Sequence, residues 1–167
     1  PMLRVSICDD DVATLSQLEE LVRQYLDPRE LCLATYSGYG EFLTTRQYVD
    51  LLFMDIDLGD GCGIELAKEV KKTDSGTCVI FVTAHPEYVE ESFEVEPVYF
   101  LVKPIRPDSF HRAMDRAMER LAAERQESRL TVTFQNRVSA VALRDISYIE
   151  FSVRSATIHA GTRVLRT

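Results

Sequence analysis

No apolar run in this 167-residue sequence approaches the roughly 18 residues that a membrane-spanning helix needs. The opening residues, Pro1-Met2-Leu3-Arg4-Val5, enter an apolar stretch that aspartates soon interrupt, so no signal peptide is expected there. None of the four cysteines (Cys8, Cys32, Cys62, Cys78) forms a C-x-x-C pair, and the three histidines (His85, His111, His159) do not cluster with them. Neither zinc nor a disulfide framework is indicated. Small core cysteines in a reducing cytoplasm are expected, Cys8, Cys32 and Cys78 lying in apolar strand-like runs. Positive charge is scarce: 19 Lys+Arg face 27 Asp+Glu, a formal net charge of −8. That balance argues against bulk nucleic-acid binding by the whole chain, but leaves room for a local basic surface. Internal repeats and low-complexity tracts are also absent.

What is present is ordinary globular composition, 46% hydrophobic and 28% charged. There is enough apolar material to build a core and to exclude disorder of the whole chain. One domain fits the length comfortably and two would be tight.

Short apolar runs alternate with helical periodicity. Leu3–Cys8 has strand length and ends in Asp9-Asp10-Asp11. Val12, Leu15, Leu18, Val22 and Tyr25 then recur at helical steps until Pro28. Strands are predicted at Leu31–Tyr36, at Leu51–Met54 ending in Asp55, at Cys78–Val82 ending in Thr83, and at Val98–Val102 ending in Lys103-Pro104. Helices are predicted near Gly40–Gln47, over Ile64–Lys72, as a short piece at Glu87–Phe93, and as a long final helix through Phe110, Ala113, Met114, Ala117 and Leu121. Strict alternation of five strands and five helices predicts an α/β fold with a doubly wound, five-stranded parallel sheet. Ligands of such sheets bind beyond the carboxyl ends of the strands.

The pattern changes after about residue 122. Residues 123–129 read as a helix tail or linker, and period-two strands follow from Leu130. The charge divides at the same place. Residues 1–122 hold 12 Lys+Arg and 23 Asp+Glu, whereas 123–167 hold 7 and 4, and every basic residue of that tail is arginine. The 38 residues from Leu130 to Thr167 are too few to bury a core unaided.

Asp9, Asp10 and Asp55 end neighbouring predicted strands, where like charges would disfavour one another's ionisation. A hard divalent cation with oxygen ligands resolves that conflict, so the three read as a magnesium site. Asp11 reads as the cap of the first helix. Asp55 is the candidate nucleophile, since an aspartate can attack a phosphoryl group and form an acyl phosphate. Lys103 is the candidate cation for the phosphoryl oxygens, and Thr83 a candidate hydroxyl donor to them.

Val5-Ser-Ile-Cys-Asp9-Asp10, Phe53-Met-Asp55-Ile-Asp57, Phe81-Val-Thr83-Ala84 and Phe100-Leu-Val-Lys103-Pro104 stand in order and at family spacing. Through them, residues 1–122 resemble the receiver domain of two-component response regulators. The resemblance implies a flavodoxin-like fold and phosphorylation of Asp55. It implies magnesium held by Asp10, Asp55 and the backbone carbonyl of Asp57, with Asp9 acting through water. Lys103 would hold the phosphoryl group, Thr83 would move toward it, Phe100 would take the switch aromatic position, and the bond before Pro104 would be cis. The family usually has a proline four residues after the phosphoacceptor; here Gly59 stands there, in a loop expected to be unusually acidic and flexible.

Leu130–Phe134, Val138–Leu143 and Arg144-Asp145-Ile146-Ser147-Tyr148-Ile149-Glu150-Phe151 resemble the start of a LytTR-type DNA-binding domain, as in LytR/AgrA-like regulators. Residues 130–167 would be its N-terminal part, and Arg154 stands where that family places an early DNA contact. The implied protein is a non-enzymatic phosphoacceptor with a sensor histidine kinase, DNA and a second copy of itself as partners. Two other readings stand beside it. In one, the receiver acts only through protein contacts. In the other, Asp55-Ile-Asp57 is the D-x-D motif of a haloacid-dehalogenase-type phosphatase with Asp57 as general acid.

Overall fold

Five apolar runs pair into one parallel sheet: β1 (Leu3–Cys8), β2 (Leu31–Tyr36), β3 (Leu51–Asp55), β4 (Cys78–Thr83) and β5 (Tyr99–Val102). Their order is β2-β1-β3-β4-β5, with the wholly buried β3 and β4 inside. The computed structural model describes residues 2–127, 129–134, 137–152, 155–161 and 163–166. They divide into two compact units, Pro1–Leu121 and Ala122–Thr167.

Strand side chains alternate between faces, and this separates two cores. Val5, Ile7, Leu51, Phe53 and Ile80 pack with Leu18 and Val22 of helix α1 (Val12–Tyr25). Phe110, Ala113, Met114, Ala117 and Leu121 of the last helix complete that core. Leu52, Met54, Val79 and Phe81 face Phe42 of α2 (Tyr39–Thr45) and Leu66, Ala67 and Val70 of α3 (Gly63–Thr73). The last helix, α4 (Pro107–Glu127), is seated on the sheet by a stacked Phe53–Phe110 pair with centroids 5.9 Å apart. Asp11 caps α1, its carboxylate accepting from the Ala13 and Thr14 amides. No helix of the described residues is long and apolar enough to cross a membrane.

One local expectation is refined and another corrected. The short helix expected over Glu87–Phe93 is present as a 3-10 helix, Pro86–Val95. Cys32 is exposed while Cys8 and Cys78 are buried, because β2 is a sheet edge with one face toward solvent.

α1 and α4 are tied by Tyr25, whose hydroxyl donates to Asp115 Oδ1 at 2.5 Å. Burial, then the hydrogen bond and charge of Asp115, push the Tyr25 phenol up to about 12. An unfolded tyrosine loses its proton near 10. Between these values the native state holds the extra proton, so the stability Tyr25 contributes is complete below about pH 10 and is lost as pH rises through about 12. The urea-midpoint difference between wild type and Tyr25→Phe should shrink over that window; a constant difference would refute the linkage.

The second unit is antiparallel. β6 (Arg129–Phe134) and β7 (Arg137–Ala142) form a hairpin, and β8 (Ile146–Ser152), β9 (Ser155–Ala160) and β10 (Arg163–Arg166) form a sheet in the order β10-β9-β8. Val132, Val141, Ile158 and Ala160 are buried, but β8 is exposed from Ser147 to Ser152, Phe151 to 81%. This thin core is the expected result of so few residues.

Candidate phosphoryl-accepting site

Strand order alone assembles the site. β1 lies beside β3 with Cys8 opposite Met54, so Asp9 and Asp10, just past β1, meet Asp55 at the end of β3. β5 pairs with β4, Thr83 standing opposite Val102, and the Lys103 amide donates to the Thr83 carbonyl at 2.9 Å. All five residues thus sit at the carboxyl edge of the sheet.

One carboxylate oxygen from each of Asp9, Asp10 and Asp55 lies within 4.8 Å of the others. Asp9 and Asp55 are buried and Asp10 is exposed. Lys103 Nζ reaches Asp55 Oδ2 at 2.6 Å and Asp9 Oδ2 at 2.8 Å. Only the first contact has hydrogen-bond geometry, so Asp9 Oδ2 is a buried oxygen with no directed donor. Asp9 Oδ1 accepts from the Asp11 amide, and Asp55 Oδ1 from the Asp57 amide. Burial pushes the Asp9 carboxyl up to about 6, helped by the Asp55 charge and opposed by Lys103. Burial acts to lower the Lys103 ammonium, but its hydrogen bond to Asp55 and its ion pairs with Asp55 and Asp9 prevail and hold it above its ordinary value.

One ammonium among three carboxylates leaves an excess of negative charge in a half-buried space. The all-oxygen donor set, the undirected Asp9 oxygen and the solvent-facing Asp10 fit a hard divalent cation.

The other predicted residues are placed as follows. Thr83 is buried, and its Oγ1 accepts from the His85 amide at 3.0 Å. Phe100 is half-buried and stacked on Phe81, centroids 5.7 Å apart. The Lys103–Pro104 peptide is cis. Asp57 begins the β3–α3 loop with its carboxylate exposed and accepting from the Gly59 amide at 3.1 Å. Arg154 lies outside the described residues.

A family model described as the response regulator receiver domain matches residues 5–115. This chain belongs to that receiver family. It is similar to the sensory transduction protein LytT of Bacillus subtilis, 30% identical over 115 residues, covering 68% of this chain and 47% of the relative. It is also similar to the transcriptional regulatory protein NatR of Bacillus subtilis, 27% identical over 167 residues, covering 99% of this chain and 71% of the relative. The chain therefore spans between about half and seven tenths of these curated relatives. Among solved structures, the BeF3-activated DrrB receiver domain aligns with a TM-score of 0.63 and 25% identity, over 71% of this chain and 99% of its own. A CheY-like receiver from Methanospirillum hungatei aligns at 0.62 and 25%, over 74% of this chain and 99% of its own.

The sequence motifs single out Gly59 but not the other glycines near it. Five of the seven stand at 38, 40, 59, 61 and 63. Gly63 opens α3 directly behind the candidate phosphoacceptor, and a Cβ there would lie 1.8 Å from the Asp55 carbonyl oxygen. Gly59 has φ +71°, and a Cβ there would come within 3.0 Å of Asp10 Oδ2. The signal was available: a glycine-poor chain had crowded its glycines around one loop. That loop is also less free than its composition suggests. Leu58 is buried, its amide donates to the Gly61 carbonyl, and the Gly63 amide donates to Ile56.

Proposed function

We propose that this receiver is the phosphorylation switch of a two-component response regulator, with Asp55 as phosphoacceptor and a sensor histidine kinase as donor. The observation that carries this reading is the cluster of Asp9, Asp10, Asp55 and Lys103 at the carboxyl edge of β1, β3 and β5. Asp10, Asp55 and the Asp57 carbonyl would hold magnesium, with Asp9 acting through water. Bound magnesium supplies charge neutralisation at the phosphoryl oxygens. Asp55 attacks phosphorus as its carboxylate, so no base is needed to activate it, and the phosphorus–nitrogen bond to the donor's histidine breaks with its electron pair leaving on that nitrogen. Lys103 neutralises a phosphoryl oxygen from β5, exchanging its present partner Asp55 for the group that Asp55 acquires. Thr83 donates its hydroxyl to another oxygen, and Phe100 on the neighbouring strand answers its displacement. A phosphoryl group adds roughly two negative charges at one point, enough to reorder these contacts.

The output is transcription control through the complete form of the LytTR-type domain that the β-rich unit begins. NatR, similar over 99% of this chain and named a transcriptional regulatory protein, supports that output. DNA, with Arg154 among its contacts, and a second copy of the chain are the partners. The protein acts in the cytoplasm and turns nothing over beyond loss of its own phosphoryl group. Residues 1–122 form the receiver, 123–129 the connection, and 130–167 the start of the DNA-binding domain.

Incubation with acetyl phosphate and magnesium should add one phosphoryl group, located by peptide mass at Asp55. Chelating the magnesium should abolish the addition. A label elsewhere, or one indifferent to chelation, would overturn this reading.

A further inference from the structure

The loop after the phosphoacceptor is fastened to α2 by one side chain. Asp60 Oδ1 accepts from the Tyr39 amide at 2.8 Å, and Oδ2 accepts from the Gly40 amide at 3.1 Å. These amides belong to the first turn of α2, whose own N-cap, Gly38, has no side chain to offer them. Both sides of the contact are close. A Cβ at Gly38 would meet Asp60 Oδ1 at 3.0 Å, and one at Gly61 would enter the Tyr39 ring at 2.6 Å. The same loop brings Gly59 against Asp10, and Asp57 holds the Gly59 amide while its own amide donates to Asp55. Hydrogen bonds and close packing therefore run from α2 through Asp60 and Gly59 to Asp10, and through Asp57 to Asp55. Each Asp60 oxygen already has an amide donor, so Asp60 is placed to hold the loop rather than to ligate a cation.

We propose that Asp60 is a positioning residue: by clamping the first turn of α2, it holds the 57–61 loop in the form that receives the divalent cation between Asp10 and Asp55. This rests on the cation reading of the site. The Tyr39 and Gly40 amides hold the Asp60 carboxyl below the ordinary carboxylate range, so the clamp stays charged near neutral pH.

The test is calorimetric titration of the full chain with magnesium at high ionic strength, where the loss of a distant charge is screened. Asp60→Ala removes the clamp. Gly61→Ala keeps the charge but forces the loop off Tyr39. Asp60→Asn keeps one acceptor oxygen. The first two should raise the half-saturating magnesium roughly tenfold, as loss of outer-sphere supports commonly does, with Asp60→Asn between them and wild type. Amide exchange at Tyr39 and Gly40 should accelerate in step. The acetyl-phosphate labelling rate at saturating magnesium should return to the wild-type value. Wild-type affinity in Asp60→Ala and Asp60→Asn would overturn the clamp, as would a loss confined to the charge-removing variants while a folded Gly61→Ala binds normally. Failure of wild type to bind magnesium would instead overturn the cation reading, and the clamp with it.

Discussion

Asp55→Asn should reduce magnesium-dependent phosphoryl uptake from acetyl phosphate by roughly a thousandfold or more, the scale expected when a nucleophile is deleted from an intact site. An amide has nearly the carboxylate's shape but no anionic oxygen to bond phosphorus. Lys103 would keep Asp9 as a partner at 2.8 Å, and Phe53 and Met54 before it would stay packed, so the fold should survive. Phosphate mass on the intact protein, followed with time, is the measurement. Labelling at the wild-type rate would remove Asp55 from the role. Asp57→Asn makes the informative companion. Its carboxylate is exposed and accepts from the Gly59 amide, so it is engaged with its own loop. On the proposed reading only the Asp57 carbonyl is used, so labelling should persist in this variant. A phosphatase using Asp57 as general acid would lose turnover.

Gly63→Ala should be the most destabilising small substitution in the receiver, costing on the order of 3–5 kcal/mol. A Cβ there would lie 1.8 Å from the Asp55 carbonyl oxygen and 2.8 Å from its carbon. Both are backbone atoms of a central strand, so no side chain can rotate away. Either the Asp55 peptide shifts, or α3 lifts from the sheet and breaks the 2.8 Å bond from Gly63 to the Ile56 carbonyl. The urea midpoint should fall by a corresponding amount. Because the strained peptide is that of Asp55, any folded fraction should also label slowly. Wild-type stability in this variant would show that α3 can stand off β3 without cost. By contrast, a Cβ at Gly161, whose φ is +57°, would meet nothing within 4 Å, so alanine there costs only backbone strain.

Most of the site is legible along the chain for a simple reason. Asp9, Asp55, Thr83 and Lys103 each end a short apolar run, and one parallel sheet brings such ends to one edge whatever the details of packing. Asp11 as a cap and the buried face of α4 are legible for the same local reason. Other features depend on neighbours that spacing does not name. A short helix over Glu87–Phe93 is legible, but its 3-10 form and its extension to Pro86–Val95 are not. Cys32 lies in an apolar run, but the sheet order makes β2 an edge and leaves it exposed. The acidic loop is flexible by composition, yet Asp60 accepts from amides 21 and 20 residues away.

The sequence by itself determined the alternation of elements, the change of character near residue 122, and which residues gather at the carboxyl edge. Periodicity, caps and strand ends are written in neighbouring residues, and the sheet adds only its order. Only the tertiary structure decided that Lys103 pairs with both Asp55 and Asp9, that one Asp9 oxygen has no directed donor, that Gly63 touches the Asp55 backbone, and that α2 anchors the loop. Those facts are close approaches between different elements of the fold, and such approaches are set by packing rather than by pattern.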